Sequence, residues 1–110
     1  MLTRAEELIL LAVWKLQHEA YGASIRTHLS NRTGDDWPIA TVYTPLDRLA
    51  KKGMLSTRVG APTGERGGRS RKLYTLTAKG VKAVQHARTV TESMWQDLPD
   101  PGLEPEVVRS

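Results

Sequence analysis

The feature that most constrains this chain is a glycine-rich, basic segment over residues 60–69, which lies between two short strand-like runs. The segment has no large apolar side chain, and its glycines make a helix there unfavourable. The flanking runs, residues 55–59 and 71–76, have the length and composition of short strands. Together they predict a β-hairpin whose long, basic tip is mobile and is far longer than a simple turn requires.

Helix signals precede this hairpin. Thr3 and Glu6 have the spacing of a capping box, in which the two side chains satisfy free backbone N–H groups, and the apolar run over residues 8–16 follows. A second helix is predicted to begin at Tyr21 and to end near Gly34, where glycine suits a left-handed cap. The first helix carries apolar residues on more than one side, so we expect it to contact two surfaces.

A third helix is indicated by Val42, Leu46 and Leu49, which recur at helical spacing and therefore share one face. Pro45 lies within this segment, has no N–H to donate to the carbonyl of Thr41, and crowds the preceding turn. The sequence therefore predicts that the first turn of this helix is distorted or begins late.

A fourth helix is predicted to begin after Thr77, a suitable N-cap residue, and to continue to residue 98, before a proline-rich tail. The element order is that of a mostly helical α+β fold, the winged helix-turn-helix, with one C-terminal dimerisation helix. We expect the DNA-binding domain to occupy residues 1–76, the dimerisation helix residues 77–98, and a disordered tail residues 99–110.

Length and composition set the broad class of the protein. A chain of 110 residues with 39% hydrophobic residues suffices for one domain and one core. It contains no cysteine and no apolar run long enough to span a membrane, and its first residues lack the pattern of a signal peptide, so a cytoplasmic protein is expected. The net charge of +4 is unevenly placed, because residues 51–82 hold nine basic residues and one acidic residue. Such a segment favours a polyanionic partner, although solvated charge without a partner is an alternative.

In a helix-turn-helix fold, the helix over residues 39–52 would enter the major groove of duplex DNA. With its apolar residues facing the core, the helix has six outward residues: Ala40, Thr41, Tyr43, Thr44, Asp47 and Arg48. The first four suit contacts to phosphates or to thymine methyl groups, and Arg48 is a further candidate DNA contact. The hairpin tip and the following strand supply arginine and lysine for the DNA backbone or the minor groove. These basic residues are Arg66, Arg69, Arg71 and Lys72.

Several short motifs, in this order and spacing, resemble the PadR family of bacterial transcriptional regulators. The resemblance is carried by residues 8–16, Tyr21-Gly22, Ile25, Thr41-Val42-Tyr43, Leu46, Arg48-Leu49, Lys52-Gly53, Gly67-Gly68-Arg69, Arg71-Lys72, Tyr74, Leu76-Thr77 and Gly80. It implies a repressor that binds an inverted-repeat operator as a dimer. It also implies DNA contacts from Tyr21, Thr41, Tyr43, Arg69 and Lys72. The chain departs from the family in having Thr44 before Pro45 and only one helix after the wing.

A homodimer through the first and fourth helices is expected, because apolar residues at the far end of the fourth helix lie beyond the reach of so small a core. The predicted interface residues are Ile9, Val13, Val84, Thr91, Met94, Trp95 and Leu98. A further hypothesis is that Trp14 and Trp95 border a cavity for a planar aromatic effector, although tryptophan at helical spacing is more often a core residue.

Other chemistries lack support in the sequence. The three histidines have neither cysteine partners nor the spacing of a metal site, so no metal or other cofactor is expected. The glycine-rich segment lacks the ending of a phosphate-binding loop, and no nucleophile motif occurs, so an enzyme is not expected. The alternative to a DNA-binding regulator is a winged-helix module for protein association.

Overall fold

The computed structural model describes residues 1–60 and 71–102. The hairpin tip over residues 61–70, with Arg66 and Arg69, and the last part of the predicted tail, residues 103–110, lie outside the described residues. Along the chain the elements are α1 (Arg4–Leu16), a 3₁₀ turn (Gln17–Glu19), α2 (Gly22–Thr33), α3 (Ile39–Lys51), β1 (Leu55–Val59), β2 (Lys72–Leu76) and α4 (Ala78–Trp95). The mostly helical fold with a two-stranded hairpin before its last helix is confirmed.

The helix ends follow local signals in the sequence. At the start of α1, Thr3 Oγ1 accepts a hydrogen bond from the Glu6 backbone N–H at 3.0 Å, and Glu6 Oε1 accepts one from the Thr3 N–H at 2.8 Å. Gly34 closes α2 in the left-handed region, with φ of 77°. The Thr77 hydroxyl oxygen caps α4 by accepting from the Gly80 N–H at 3.1 Å. The predicted starts of α1 and α4 and the end of α2 are therefore confirmed.

The expected late start of α3 is wrong. The helix begins at Ile39, directly after Pro38, and continues through Pro45 to Lys51. Proline at this position removes one backbone hydrogen bond, yet Val42, Leu46 and Leu49 are all fully buried on the same side of the helix. Burial of three such side chains contributes several kcal/mol in total, roughly 1.5–3 kcal/mol for each, which outweighs one missing bond.

The core lies between the first three helices, the sheet and the first half of α4. Its fully or almost fully buried apolar residues are Ile9, Leu10, Ala12, Val13, Ala20, Ile25, Leu29, Val42, Leu46, Leu49, Leu55, Tyr74 and Val84. Three residues assigned from the sequence to the dimer interface, Ile9, Val13 and Val84, are among them and are at most 3% exposed. That assignment is wrong, because these side chains already pack within their own chain and present almost no surface to a second one.

The two strands pair antiparallel, with Leu55 opposite Leu76 and Val59 opposite Lys72. The start of α4 packs closely on this sheet, and a Cβ atom on Gly80 would collide with the backbone carbonyl oxygen of Met54. The helix ends at Trp95, three residues before the predicted end at Leu98. No helix in residues 1–60 and 71–102 is both long enough and apolar enough to cross a membrane.

A buried carboxylate connects α1 to α3. Glu6 is only 3% exposed, and its Oε2 atom lies 3.7 Å from Nη1 of Arg48 and 3.9 Å from Nζ of Lys52. The hydrogen bond from the Thr3 backbone N–H is the main cause of a lowered Glu6 pKa, and the two basic groups lower it further against the opposing effect of burial. Glu6 therefore stays ionised in the folded chain and holds the last turns of α3 against the start of α1.

This arrangement predicts an acid-sensitive contribution to stability. Because the folded pKa of Glu6 lies below its ordinary value, its contribution is present at neutral pH and is lost as the pH falls through that folded pKa. Glu6→Gln should lower the free energy of unfolding at pH 7 by about 1–3 kcal/mol, measured by urea denaturation. The difference from wild type should shrink towards zero at acidic pH, where the wild-type carboxyl is also neutral. Glu19→Gln, at an exposed position, is the matched control, and a difference independent of pH would contradict this account.

Candidate nucleic-acid interface

One side of α3 faces solvent and carries small and hydroxyl-bearing residues. Ala40, Thr41, Tyr43 and Thr44 are all exposed, opposite the side that holds the buried apolar residues. Lys51 is also exposed and lies two turns beyond Thr44 on the same side of the helix. The sequence interpretation did not single out Lys51, although its seven-residue spacing from Thr44 was the signal that could have identified it.

Arg48 is exposed on α3 and also contacts α1. Its guanidinium group lies on the side of α3 that faces α1, where it approaches the carboxylate of Glu6. Arg48 is therefore part of the contact that holds α3 in place. Its side chain is half exposed and lies one turn beyond Thr44, so the DNA contact predicted for Arg48 stays a prediction.

Backbone hydrogen bonds hold the start of β2 beside the start of α2. The Tyr74 N–H donates to the Ala20 carbonyl oxygen at 2.8 Å, and Tyr21 forms a single β-bridge with Leu73. The guanidinium of Arg71 lies over the Tyr21 ring, 4.3 Å from the ring centroid, a cation–π contact. A basic residue at the base of the hairpin is thereby held next to the N-terminus of α2.

Tyr43 connects this corner to α3. Its hydroxyl group lies directly against the backbone of Gly22, where a side chain of any size would collide with it. Because residue 22 is a glycine, the Tyr43 ring can approach the first turn of α2. Tyr43 is 40% exposed, so part of the ring remains available to a partner.

A surface cavity of about 250 Å³ lies between these elements. It is lined by Tyr21, Gly22, Ala23, Tyr43, Asp47, Arg71, Lys72 and Tyr74. Lys72 Nζ lies 3.8 Å from Oδ1 of Asp47 and 5.8 Å from the centre of the Tyr74 ring. Burial raises the pKa of Tyr74, with a further contribution from the charge of Asp47. Four of the predicted DNA-contact residues therefore line this cavity: Tyr21, Tyr43, Arg71 and Lys72. Ala40, Thr41 and Thr44 are exposed on α3.

Comparison with known proteins identifies the family. Residues 10–86 match the family described as transcriptional regulator PadR-like. The chain belongs to the PadR-like family of transcriptional regulators. A search of curated protein sequences found no match.

Several solved structures share this fold. A transcriptional regulator from Clostridium thermocellum is 21% identical, with a TM-score of 0.67 over 81% of this chain and 83% of its own. A PadR family transcriptional regulator from Eggerthella lenta is 24% identical, with a TM-score of 0.63 over 79% of this chain and 73% of its own. RosR from H. salinarum is 26% identical, with a TM-score of 0.65 over 90% of this chain and 82% of its own.

The hypothesis of an effector cavity between Trp14 and Trp95 involves a different region of this PadR-like regulator. Trp14 lines a cavity of about 300 Å³ between the end of α1, the sheet and α4. The other lining residues are Val13, Gln17, His18, Arg58, Thr75, Leu76 and Val81. Trp95 does not line this cavity and is 72% exposed at the end of α4. The two tryptophans do not border one cavity within the described part of a single chain, and effector binding stays a prediction.

Proposed function

We propose that this PadR-like regulator binds duplex DNA sequence-specifically, with the helix over residues 39–52 in the major groove. The observation that carries the proposal is the outward face of α3, on which Thr41, Tyr43, Thr44 and Lys51 are exposed beside the basic start of β2. Hydroxyl and lysine side chains bind phosphates, and short side chains let a helix approach base edges closely. The wing over residues 60–70 would lie on the backbone or in the minor groove.

The proposal includes a homodimer that binds an inverted repeat. Large apolar side chains that are 39–72% exposed lie on α1 (Leu11, Trp14), at the end of α4 (Met94, Trp95) and just beyond it (Leu98). A two-fold dimer would cover such residues on both copies at once and would match the two halves of an inverted repeat. With Ile9, Val13 and Val84 in the core, these exposed residues and the half-buried Thr91 carry the proposed interface.

Light scattering tests the dimer separately from DNA. The proposal predicts a mass of twice the 12.2 kDa chain at micromolar concentration. A monomeric mass would contradict the dimer, and binding to an inverted repeat would then require assembly on the DNA.

Repression, rather than activation, is proposed because the family resemblance implies it. A reporter gene under the chain's own promoter would measure the direction of regulation.

DNA binding is tested by fluorescence anisotropy with the chain's own upstream DNA and with a scrambled duplex, at several salt concentrations. Arg71→Ala and Lys72→Ala should each weaken binding by about tenfold, or about 1.4 kcal/mol. Each should also flatten the plot of log affinity against log salt by about 0.9, because one phosphate contact is lost.

Lys82→Ala is the matched control, since Lys82 is an exposed lysine on α4, outside the proposed face. It should leave the affinity within about twofold and the salt slope unchanged. Equal, weak and salt-insensitive binding of both duplexes would contradict the proposal and would favour a winged-helix module that associates with proteins.

A further inference from the structure

An acidic residue lies within the proposed DNA-binding face. Asp47 is on α3, one turn beyond Tyr43 and one turn before Lys51, and its side chain is 60% exposed. Phosphates repel a carboxylate at such a position, and counterion release favours basic residues there. A face selected only for affinity to DNA would therefore have a neutral or basic residue in place of Asp47.

The fold itself does not require this carboxylate. Asp47 lies in the second half of α3, where the helix dipole does not favour a negative charge, and aspartate is a poor helix former. Its ion pair with Lys72 spans 3.8 Å between side chains that are 60% and 55% exposed. Exposed pairs of this kind contribute little to stability. Since neither helix formation nor stability explains Asp47, its role concerns the partner that this face binds.

The partner of Asp47 is itself one of the proposed phosphate contacts. Lys72 is at the start of β2, and Arg71 and Tyr43 line the same cavity. In the free chain, the carboxylate partly neutralises the lysine. A phosphate that binds Lys72 must compete with this carboxylate. A duplex that offers the carboxylate no hydrogen-bond donor in return therefore binds less tightly than it would if Asp47 were absent.

We propose that Asp47 is a specificity-determining residue that disfavours non-cognate DNA. This inference rests on the proposed function. On a cognate duplex, the carboxylate accepts a hydrogen bond from the exocyclic amino group of a cytosine in the major groove, and Lys72 is released to a phosphate. On other sequences no base donates to the carboxylate, which keeps its pair with Lys72 and repels the nearby phosphates.

The test compares two duplexes with wild type and Asp47→Asn. The first is the tightest duplex recovered by selection from random DNA with the wild-type chain, and the second is a scrambled duplex of equal composition. Asp47→Asn should tighten binding to the scrambled duplex several-fold, and the ratio of the two affinities should fall at least about fivefold. The salt slope on the scrambled duplex should steepen by up to about 0.9, because the carboxylate no longer competes with phosphate for Lys72.

Two further variants separate this role from a change in net charge. Asp97→Asn makes the same charge change at an exposed position just beyond α4, and it should leave the affinity ratio unchanged. In a Lys72→Ala background, Asp47→Asn should no longer steepen the salt slope, since the slope change acts through the lysine. The melting temperature of Asp47→Asn should stay within about 2 °C of wild type, which excludes a loss of folding.

The outcomes are distinguishable. A fall in the affinity ratio for Asp47→Asn but not for Asp97→Asn supports the inference. An unchanged ratio, or equal changes in both variants, would overturn it while leaving the proposed function intact. Failure of the wild-type chain to bind any selected duplex would overturn the proposed function, and the role of Asp47 with it.

Discussion

Leu46→Ala is expected to lower the free energy of unfolding by about 2–5 kcal/mol, a large fraction of the roughly 5–15 kcal/mol that holds a small domain folded. Leu46 is fully buried in the middle of α3, between Val42 and Leu49, and belongs to the core. Truncation would remove favourable burial and leave a cavity beneath the helix that carries the proposed DNA-binding face. Urea denaturation measures the loss directly.

Ile39→Ala is the matched control for Leu46→Ala. Ile39 is also on α3 and loses a similar volume on truncation, but it is 59% exposed. Its substitution should change the free energy of unfolding by less than about 0.5 kcal/mol. Similar losses in the two variants would show that α3 does not pack on the core through Leu46.

Gly80→Ala is expected to lower the free energy of unfolding by about 2–3 kcal/mol. A Cβ atom at this position would collide with the Met54 carbonyl oxygen and would lie 2.6 Å from Cδ1 of Leu76. Alanine is favoured over glycine in a helix interior by about 1 kcal/mol, but a collision with backbone cannot be relieved by rotating a side chain. The start of α4 must therefore move away from the sheet.

Thermal or urea unfolding of Gly80→Ala tests this contact. Gln85→Ala, at an exposed position on the same helix, should remain within about 0.5 kcal/mol of wild type. If Gly80→Ala were as stable as wild type or more stable, helix propensity would outweigh the collision, and the close packing of α4 on the sheet would be wrong.

Local signals account for most of what could be predicted from the sequence. The cap at Thr3, the left-handed Gly34 and the cap at Thr77 depend on residues within a few positions of each other, and the structure has all three helix ends as expected. The rule for proline failed at Pro45 because burial of neighbouring apolar residues outweighs one lost hydrogen bond. Helix propensity depends only on the residues of one segment, so it does not include the free energy gained when α3 packs on the core.

The remaining errors concern which residues meet across the fold. Helical spacing shows that Ile9 and Val13 share an apolar side, but it does not show whether that side packs in its own chain or against a second one. The contact of Arg48 with Glu6 joins residues 42 positions apart and has no local signature. The same holds for the pair of Asp47 and Lys72, which is only evident once β2 lies beside α3.

The outward face of α3, with the start of β2, is proposed to bind duplex DNA. Backbone amide NMR during titration with the chain's own upstream duplex would locate the bound surface residue by residue. We expect saturable shifts in the amides of residues 40–44, 46–51 and 71–74 and at the start of α2, with little change at Lys82 and Gln85 on the exposed side of α4. Shifts confined to α4, or none that saturate, would contradict it.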